Sequence, residues 1–164
     1  MEPKPFEAIT AKFRTIRTAE EERAFGELVS RGFGVAPPRS FFDDFPVWRQ
    51  ESGAKIRRIG AYEGTKLVAA AAARFVDIRL GAVRVPISVI GCVVTAPEFQ
   101  GQGLASRAVT ELLVEASASG AAIAVLFGSQ AGLYARLGFE YVGNQERIAL
   151  DALSLPRAAF LPEA

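Results

Sequence analysis

The chain of 164 residues contains no histidine, and its only cysteine is Cys92. Without histidine, Ser-His-Asp and Cys-His catalysis are excluded and the usual zinc ligands are missing, so no metal site is predicted. A single cysteine cannot close an internal disulfide, which indicates a reducing, cytoplasmic compartment. Proton transfer near neutral pH must therefore use a carboxylate of raised pKa, a tyrosine or water.

Long hydrophobic runs and an excess of one charge sign are also missing. The longest apolar runs, such as residues 67–73, are far too short to span a bilayer. The N-terminus lacks the apolar core of a secretory signal. A net charge of +1 gives no field that would attract nucleic acid or an anionic membrane. We therefore expect a cytoplasmic protein that binds neither nucleic acid nor membrane.

Half of the residues are hydrophobic and 23% are charged, which is typical of a globular protein. The length suits one domain with a core of its own. No internal repeat or linker divides the chain. We therefore predict a single domain over residues 1–164, with a loose leader at 1–12 and a tail at about 151–164.

Hydrophobic periodicity predicts alternating strands and helices. Thr18 and Glu21 form a capping box that begins a helix, and Gly32 and Gly34 end it. The predicted strands cover 13–17, 56–62, 67–76, 78–80, 83–85, 87–94, 121–127 (an interior strand) and 139–150. A helical stretch kinked at Pro46, a helix over 104–116 and a short helix from Ser129 to Leu137 complete the pattern. This order predicts an α/β fold with a single mixed, mostly antiparallel, sheet flanked by helices on both faces.

Residues 100–105, with the sequence QGQGLA, lie between the strand at 87–94 and the helix that follows. Two glycines there leave backbone N–H groups unshielded at the positive end of a helix. Such a site binds anions, and its natural ligand is a phosphate or pyrophosphate. The alternative is a tight strand-to-helix turn with nothing bound, since such turns also use glycine.

The run from residue 56 to 143 resembles the GNAT acetyltransferase superfamily. Gln100, Gly103 and Ala105 match the pyrophosphate loop of that family, and the segment from Tyr134 to Phe139 matches its second cofactor motif. Residues 126–139 are similar to uncharacterised bacterial members and to the N-terminal domain of the enhanced intracellular survival acetyltransferases. The resemblance implies the GNAT-like acyl-CoA N-acyltransferase fold, with acetyl-CoA as co-substrate and no metal.

The resemblance also implies roles for individual residues. The pyrophosphate would be bound by Gln100, Gly101, Gln102, Gly103, Leu104, Ala105 and Ser106. The backbone of Val93 and Thr95 would align the pantetheine arm, and Phe99 would wall the mouth of the site. Tyr134 would be the catalytic residue and would protonate the departing thiolate. Independently, Tyr134 can be residue C3 of a Schellman-type helix end, with Gly138 at C′ and Phe139 at C″.

The general base is not evident from the sequence. Many members of the family carry a glutamate on the strand before the loop, but residues 87–95 have none. The remaining carboxylates are Asp43, Asp44, Glu51 and Glu98, each also readily explained as a solvated surface charge. We therefore expect a water relay. Cys92 is interpreted as a small apolar residue of a buried strand, because no base is at hand to form its thiolate.

Aromatic residues cluster between the first helix and the first hairpin, close to two acids. The candidate substrate-binding residues are Phe33, Phe41, Asp44 and Phe45. An aromatic wall with an acidic group suits a cationic, partly apolar amine. The alternative is that these aromatic residues are core and that the acids face water.

The expected function is transfer of an acetyl group from acetyl-CoA to a primary amine of a small molecule or peptide, by direct attack in a ternary complex. One alternative is a non-catalytic acyl-CoA sensor or regulatory module, which the missing strand carboxylate favours. Another is an interaction domain whose glycine loop is only structural. A homodimer paired through an exposed sheet edge is a further expectation from the family.

Overall fold

The computed structural model describes residues 10–50 and 55–143. Its strands are β1 Lys12–Thr15, β2 Ile56–Glu63, β3 Lys66–Leu80, β4 Val83–Thr95 and β5 Ile123–Leu126. Its helices are α1 Ala19–Gly32, α2 Phe41–Asp44, α3 Leu104–Ala118 and α4 Ala131–Ala135. Single 3₁₀ turns cover Pro46–Trp48 and Pro97–Phe99. None of the helices in these residues has the length and hydropathy that crossing a bilayer requires.

The five strands form one sheet in the order β1-β2-β3-β4-β5. The first four pair antiparallel, and β5 pairs parallel with β4. Helix α1 packs on one face and α3 on the other, each against its own hydrophobic cluster. The predicted fold class, a single mixed and mostly antiparallel sheet with helices on both faces, is confirmed.

The alanine run of β3 explains how two helices approach the same strand. Ala70 and Ala72 belong to the cluster under α1, whereas Ala71 and Ala73 belong to the cluster under α3. Side chains alternate between the faces of a strand, so small residues on both faces allow close packing on both. All four are fully buried.

The start of α1 follows the predicted capping box. The amide of Glu21 donates to Thr18 Oγ1 at 3.2 Å, and the amide of Thr18 donates to Glu21 Oε2 at 3.1 Å. Two of the amides that a helix leaves unpaired at its first turn are thus satisfied. This fixes where α1 begins and so how its apolar face meets β3 and β4.

The predicted strand breaks at residues 77 and 86 are wrong, because the structure has one longer hairpin of β3 and β4. β3 runs unbroken through Asp77 to Leu80, and β4 runs through Pro86 to Thr95. Asp77 and Pro86, which the predicted strands leave out, face each other across the ladder. The neighbouring pairs make the hydrogen bonds between these strands, so the missing proline N–H costs none of them.

Other boundaries also differ from the prediction. β5 covers Ile123–Leu126, shorter at both ends than the predicted 121–127, and among the described strands it pairs with β4. Helix α4 is capped by Gln130 rather than Ser129 and ends earlier than predicted.

The predicted leader, tail and last strand fall largely outside the described residues. Ala11 is buried and Lys12 begins β1, so the end of the predicted leader is already structured. Residues 139–143, the start of the last predicted strand, are not in a strand. Residues 1–9, 144–150 and the tail at 151–164 lie outside the described residues.

Candidate functional site

The edge of β4 beyond β5 is the first component of the site. The last pair between these strands joins Ile90 to Leu126, yet β4 continues to Thr95. Along 91–95, β4 therefore has no strand partner on that side within the described residues. The amide of Ala96 donates to the carbonyl of Val68 in β3 at 2.8 Å. Because backbone groups alternate sides along a strand, those of Thr95 point away from β3, toward the open edge.

A β-bulge in β4 lies just past the last pair of β4 with β5. Cys92 has a φ of 54°, the only positive φ among the non-glycine residues that the structure describes. The register between β3 and β4 shifts at the same place, opposite Ala71. A bulge bends its strand and strengthens the local twist, and this one follows the last pair of β4 with β5, at Ile90 and Leu126. Val93 lies within this bulge, half-buried against the α3 cluster. The sequence carried no signal for the bulge, because cysteine is not a residue that favours positive φ.

The Trp48 ring and the end of α1 cover this stretch of β4 on the α1 face. A Cβ at Gly91 would overlap the ring of Trp48, and a Cβ at Gly32, the end of α1, would overlap Val94 Cγ2. The two glycines therefore allow the α1 side of the molecule to sit directly on the bulged strand.

The predicted substrate residues adjoin this cover. The Phe41 ring lies 4.8 Å from that of Phe33 and 4.7 Å from that of Phe45, centroid to centroid. Phe41 is only 2% exposed and belongs to the core, whereas Phe33 and Phe45 are 49% and 48% exposed. Asp44 is paired with Arg39. The structure thus brings the four residues together, with two aromatic faces open.

The glycine loop is the second component of the site. Gly101 and Gly103 have φ values of 77° and 74°, and Gly103 is the N-cap of α3. A Cβ at either position would meet no atom within 4 Å, so the space beside the loop is open. Within the described residues, no side chain caps α3 and no acid lies in its first turn. The first-turn amides of Leu104, Ala105 and Ser106 therefore remain able to donate to an anionic ligand at the positive end of the helix.

Contacts around the loop tie it to β4 and to the rest of the sheet. Gln100 Nε2 donates to the carbonyl of Thr95 at 3.3 Å. Phe99, predicted to wall the mouth of the site, is buried in the α1-side cluster with Lys66 Nζ 5.1 Å from its ring centroid. Buried packing of Phe99 and the Gln100 bond hold the loop against the end of β4.

A cavity of about 300 Å³ adjoins the loop. It is lined by Thr10, Ala11, Phe13, Gln102, Gly103, Leu104 and Arg107. The sequence analysis missed Arg107, whose guanidinium carbon lies 4.3 Å from the Phe13 ring centroid. Arg107 could have been predicted from the sequence, because a residue four positions after the N-cap Gly103 lies on the same side of the helix as the loop. Arg107 adds a positive charge next to the open amides.

Tyr134 lies beyond β5, in a helix end of the predicted type. The amide of Gly138 donates to the carbonyl of Ala135, and that of Phe139 donates to the carbonyl of Tyr134, both at 3.1 Å. Gly138 has a φ of 85°, and the rings of Tyr134 and Phe139 meet edge to face at 6.0 Å. The Schellman-type end is confirmed. Within the described residues, the Tyr134 hydroxyl has no hydrogen-bond partner, and partial burial raises the pKa of that phenol.

The described carboxylates considered as general bases form ion pairs with arginine or lysine side chains. Glu98 pairs with Lys66 at 2.8 Å, and that hydrogen bond holds the pKa of Glu98 below its ordinary value. Hydrogen bonds from Ser40 lower the pKa of Asp43, which also pairs with Arg49. Glu51 lies outside the described residues. An ionised, paired carboxylate is a weak base, so none of the three described acids suits proton abstraction.

Cys92 does not fit a nucleophile. Its side chain is buried, and burial raises the pKa of the thiol to about 12. The thiolate is the reactive form, so this cysteine is inert at neutral pH.

A sheet in which β4 continues past its last pair with β5, with an open glycine loop before the following helix, defines an α/β domain of the acyl-CoA N-acyltransferase type. The family model of the acetyltransferase (GNAT) domain matches residues 12–142, and the chain belongs to that family. Membership supports acetyl transfer as the general activity. No curated protein matches the chain in sequence.

Solved structures show the same fold. An acetyltransferase from Trypanosoma brucei superposes with a TM-score of 0.70 at 20% identity, covering 85% of this chain and 99% of that one. A predicted acetyltransferase from Clostridium acetobutylicum, solved with acetyl-CoA, gives 0.67 at 19% identity, with 88% and 97% covered. Eis1 from Mycobacterium abscessus gives 0.62 at 24% identity, with 79% of this chain and 31% of Eis1 covered.

Proposed function

We propose that this domain transfers the acetyl group of acetyl-CoA to a primary amine of a small molecule or peptide, by direct attack in a ternary complex. The observation that carries the proposal is the meeting of two features at one end of β4. The strand has an open backbone edge near Thr95, and the loop that follows has glycines of positive φ with free space beside them.

The loop suits a pyrophosphate. We assign its binding to residues 100–106, through backbone N–H groups at the start of α3. Each charge-assisted hydrogen bond of this kind contributes roughly 1.5–3 kcal/mol before ordering costs. The uncapped first turn and the nearby Arg107 support this assignment, as does the acetyl-CoA held by the Clostridium acetobutylicum structure.

The open edge of β4 suits the amide-bearing pantetheine arm, which can pair with it as a strand would. Thr95 directs its backbone toward this edge, and Val93 lies in the bulge before it. Thr95 Oγ1 is also buried without a hydrogen-bond partner among the described residues. A buried hydroxyl of this kind normally has a partner, which supports a polar ligand group nearby.

Bound acetyl-CoA would supply a thioester whose carbonyl carbon is open to attack by an amine. Tyr134 would hold a proton on its hydroxyl oxygen and donate it to the departing sulfur. Its raised pKa keeps the phenol protonated throughout the neutral range. The contact with Phe139 holds the ring in place while leaving the hydroxyl unpaired.

The amine must lose a proton before it attacks, since an alkyl ammonium has a pKa near about 10.4. The described carboxylates near the site are ion-paired, so we assign this step to water. On the acceptor side, Phe33, Phe45 and the acid Asp44 would receive a cationic, partly apolar amine, with Phe41 supporting both rings from the core.

A non-catalytic acyl-CoA-binding module is the second candidate. It is favoured by β4 itself, which carries no carboxylate between Val83 and Thr95. Such a module would bind acetyl-CoA at the same loop and edge but would lack a means of activating the acceptor.

Calorimetry with acetyl-CoA, followed by thiol detection across a panel of amines and peptides, separates these functions. Saturable binding with amine-dependent thiol release supports the transferase. Binding without thiol release across the panel supports the sensor. Absence of binding overturns both functions. Where acetyl-CoA does bind, a hundredfold excess of it over the dissociation constant should raise the free energy of unfolding by about 2.7 kcal/mol.

A further inference from the structure

Arg58 of β2 is a buried cation that the proposed chemistry does not use. Only 3% of the residue is exposed. Its Nη1 donates to Glu22 Oε2 of α1 and its Nη2 donates to the carbonyl of Trp48, both at 2.6 Å. Hydrogen bonds from a charged donor are short and strong, and a buried one is costly to break. Arg58 therefore anchors the main chain of Trp48 to the sheet.

The 3₁₀ turn that carries Trp48 is held at a second point. Arg74 of β3 donates through Nη1 to the carbonyl of Val47. Two neighbouring carbonyls of the turn are thus bound by arginines from two paired strands. Trp48 is itself only 8% exposed and packs in the α1-side cluster. The indole ring is therefore held in one position.

The indole ring lies at a particular point of β4. A Cβ at Gly91 would overlap Trp48 Cζ2 and come within 2.7 Å of Cη2, so the ring contacts the backbone there. Gly91 directly follows Ile90, which makes the last pair of β4 with β5, and it precedes the bulge at Cys92. The ring therefore covers the point where the edge of β4 along 91–95 meets the part of the strand that is paired with β5.

On the proposed function, the thioester would lie at this point. The pyrophosphate is assigned to the loop after Thr95, so the pantetheine arm runs back along the edge toward Gly91. A strand rises about 3.3 Å per residue, so this edge spans about 13 Å, which leaves room for both amides of the arm. The thioester comes at the end of the arm, beside the Trp48 ring and in front of the pair of Ile90 with Leu126.

We propose that Trp48 limits the donor to a short acyl group, and that Arg58 is the positioning residue that holds the indole ring in place. The inference rests on the proposed function and adds to it the length of the acyl chain. Trp48 would contact the acyl group, whereas Arg58 acts only through the Trp48 carbonyl.

The transfer leaves few directions for a longer chain. The acceptor nitrogen bonds to the thioester carbon and gives up a proton to water, the carbon–sulfur bond breaks, and the sulfur takes a proton from Tyr134. The acceptor must reach the thioester from outside the edge, so a longer chain would have to extend onward along β4 or toward a face of the sheet. The pair of Ile90 with Leu126 stands ahead, the α3 cluster lies on one face and the Trp48 ring on the other.

Binding of donors of different length tests the role of Trp48 without an acceptor. One methylene too many in an apolar pocket changes the preference for a ligand by roughly 10–200-fold. In calorimetry with the full chain, acetyl-CoA should therefore bind at least about tenfold more tightly than butyryl-CoA. Trp48→Phe removes the part of the indole ring that reaches Gly91 and should abolish most of this preference, with the dissociation constant of CoA nearly unchanged.

Phe42→Leu is the matched control. It trims another ring of the same cluster, one that packs on Gly26 of α1 rather than on β4, and should keep the preference. Equal binding of acetyl-CoA and butyryl-CoA by the wild type, or equal loss of preference in Trp48→Phe and Phe42→Leu, would overturn this inference alone. Failure of CoA and of both acyl-CoA ligands to bind would overturn the proposed function as well.

Two variants of the buried ion pair test the positioning role of Arg58. Arg58→Lys keeps the charge but lacks the fork that reaches both partners, so the preference for acetyl-CoA should fall. Glu22→Gln weakens the same ion pair but leaves the bond to the Trp48 carbonyl, so the preference should remain. Both variants should lose stability in urea titrations. A preference that falls in both, or in neither, would show that Arg58 has only a structural role.

Tryptophan fluorescence tests the contact itself. Trp48 is the only tryptophan of the chain, so its emission reports on this point of β4 directly. The wild type saturated with acetyl-CoA should differ in emission from the wild type saturated with CoA, because only the former places an acyl group against the ring. Identical emission of the two complexes would contradict that contact.

Discussion

Gly128 lies directly against the ring of Tyr134. A Cβ on residue 128 would come within 2.7 Å of Tyr134 Cε2 and 3.3 Å of Leu126 Cδ1. Leu126 forms the last pair between β5 and β4, so this glycine seats the tyrosine ring next to the point where the strands part. The sequence analysis missed Gly128, since a glycine after a strand is normally explained by a turn.

Gly128→Ala should displace the Tyr134 ring and lower kcat about tenfold or more, because small misplacement of a catalytic group is costly. The KM for acetyl-CoA should change little. Gly132→Ala is the matched control, since a Cβ there meets nothing within 4 Å and alanine favours the helix. Steady-state kinetics decide the matter, and equal kcat values for the two variants would show that the ring position is unimportant.

Tyr134→Phe removes the proposed proton donor and leaves the ring contact with Phe139 in place. We expect kcat to fall by about a hundredfold or more, with the dissociation constant of acetyl-CoA nearly unchanged. Tyr141→Phe serves as the control, because that side chain is exposed. Kinetics and calorimetry on both variants provide the test, and unimpaired turnover of Tyr134→Phe would remove the residue from the mechanism.

Several parts of the fold could be predicted because local signals agreed with burial. The capping box at Thr18 and Glu21 and the helix end at Gly138 are fixed by residues a few positions apart. The glycine loop was also visible, since positive φ values favour glycine.

The rest depends on contacts between distant residues. The bulge at Cys92 lies beneath Trp48, a residue distant in sequence that packs onto Gly91. Nothing in residues 87–95 alone predicts this bulge. Likewise, the predicted strands leave out Asp77 and Pro86, and both residue types are rare in strands. Their pairing with each other removes the conflict, and pairing cannot be seen in either strand alone.

Gly103→Ala should weaken acetyl-CoA binding by about tenfold or more, because the new Cβ enters the open space beside the amides that we assign to the pyrophosphate. It also places alanine at a φ of 74°, which costs about 1–2 kcal/mol of stability. Gly120→Ala separates the two effects. Gly120 follows the other end of α3 with a φ of 80° and equally empty surroundings.

Both variants should therefore lose similar stability in urea titrations, and only Gly103→Ala should lose affinity in calorimetry. Equal affinities for the two proteins would refute the assignment of the pyrophosphate to this loop.

Cys92 gives the fold a defined sensitivity to alkali. Burial raises the pKa of its thiol to about 12 in the folded protein, whereas the unfolded chain titrates at the ordinary value. Below that ordinary value both states hold the proton, and the thiol contributes no pH dependence. Above it the unfolded state releases a proton that the folded state keeps, so the free energy of unfolding falls as pH rises toward 12.

Cys92→Ala should abolish this part of the alkaline loss. Between pH 8 and 10.5, the stability of the wild type should fall by about 2 kcal/mol more than that of the variant, from 1.36 kcal/mol per unit above the thiol's ordinary pKa. Tyrosines and lysines titrate in both proteins and cancel in the difference. Urea unfolding at the two pH values measures it. If the difference in free energy of unfolding between wild type and variant is the same at both pH values, the thiol ionises freely in the folded state. The bulge of β4 would then be open to water rather than packed beneath Trp48.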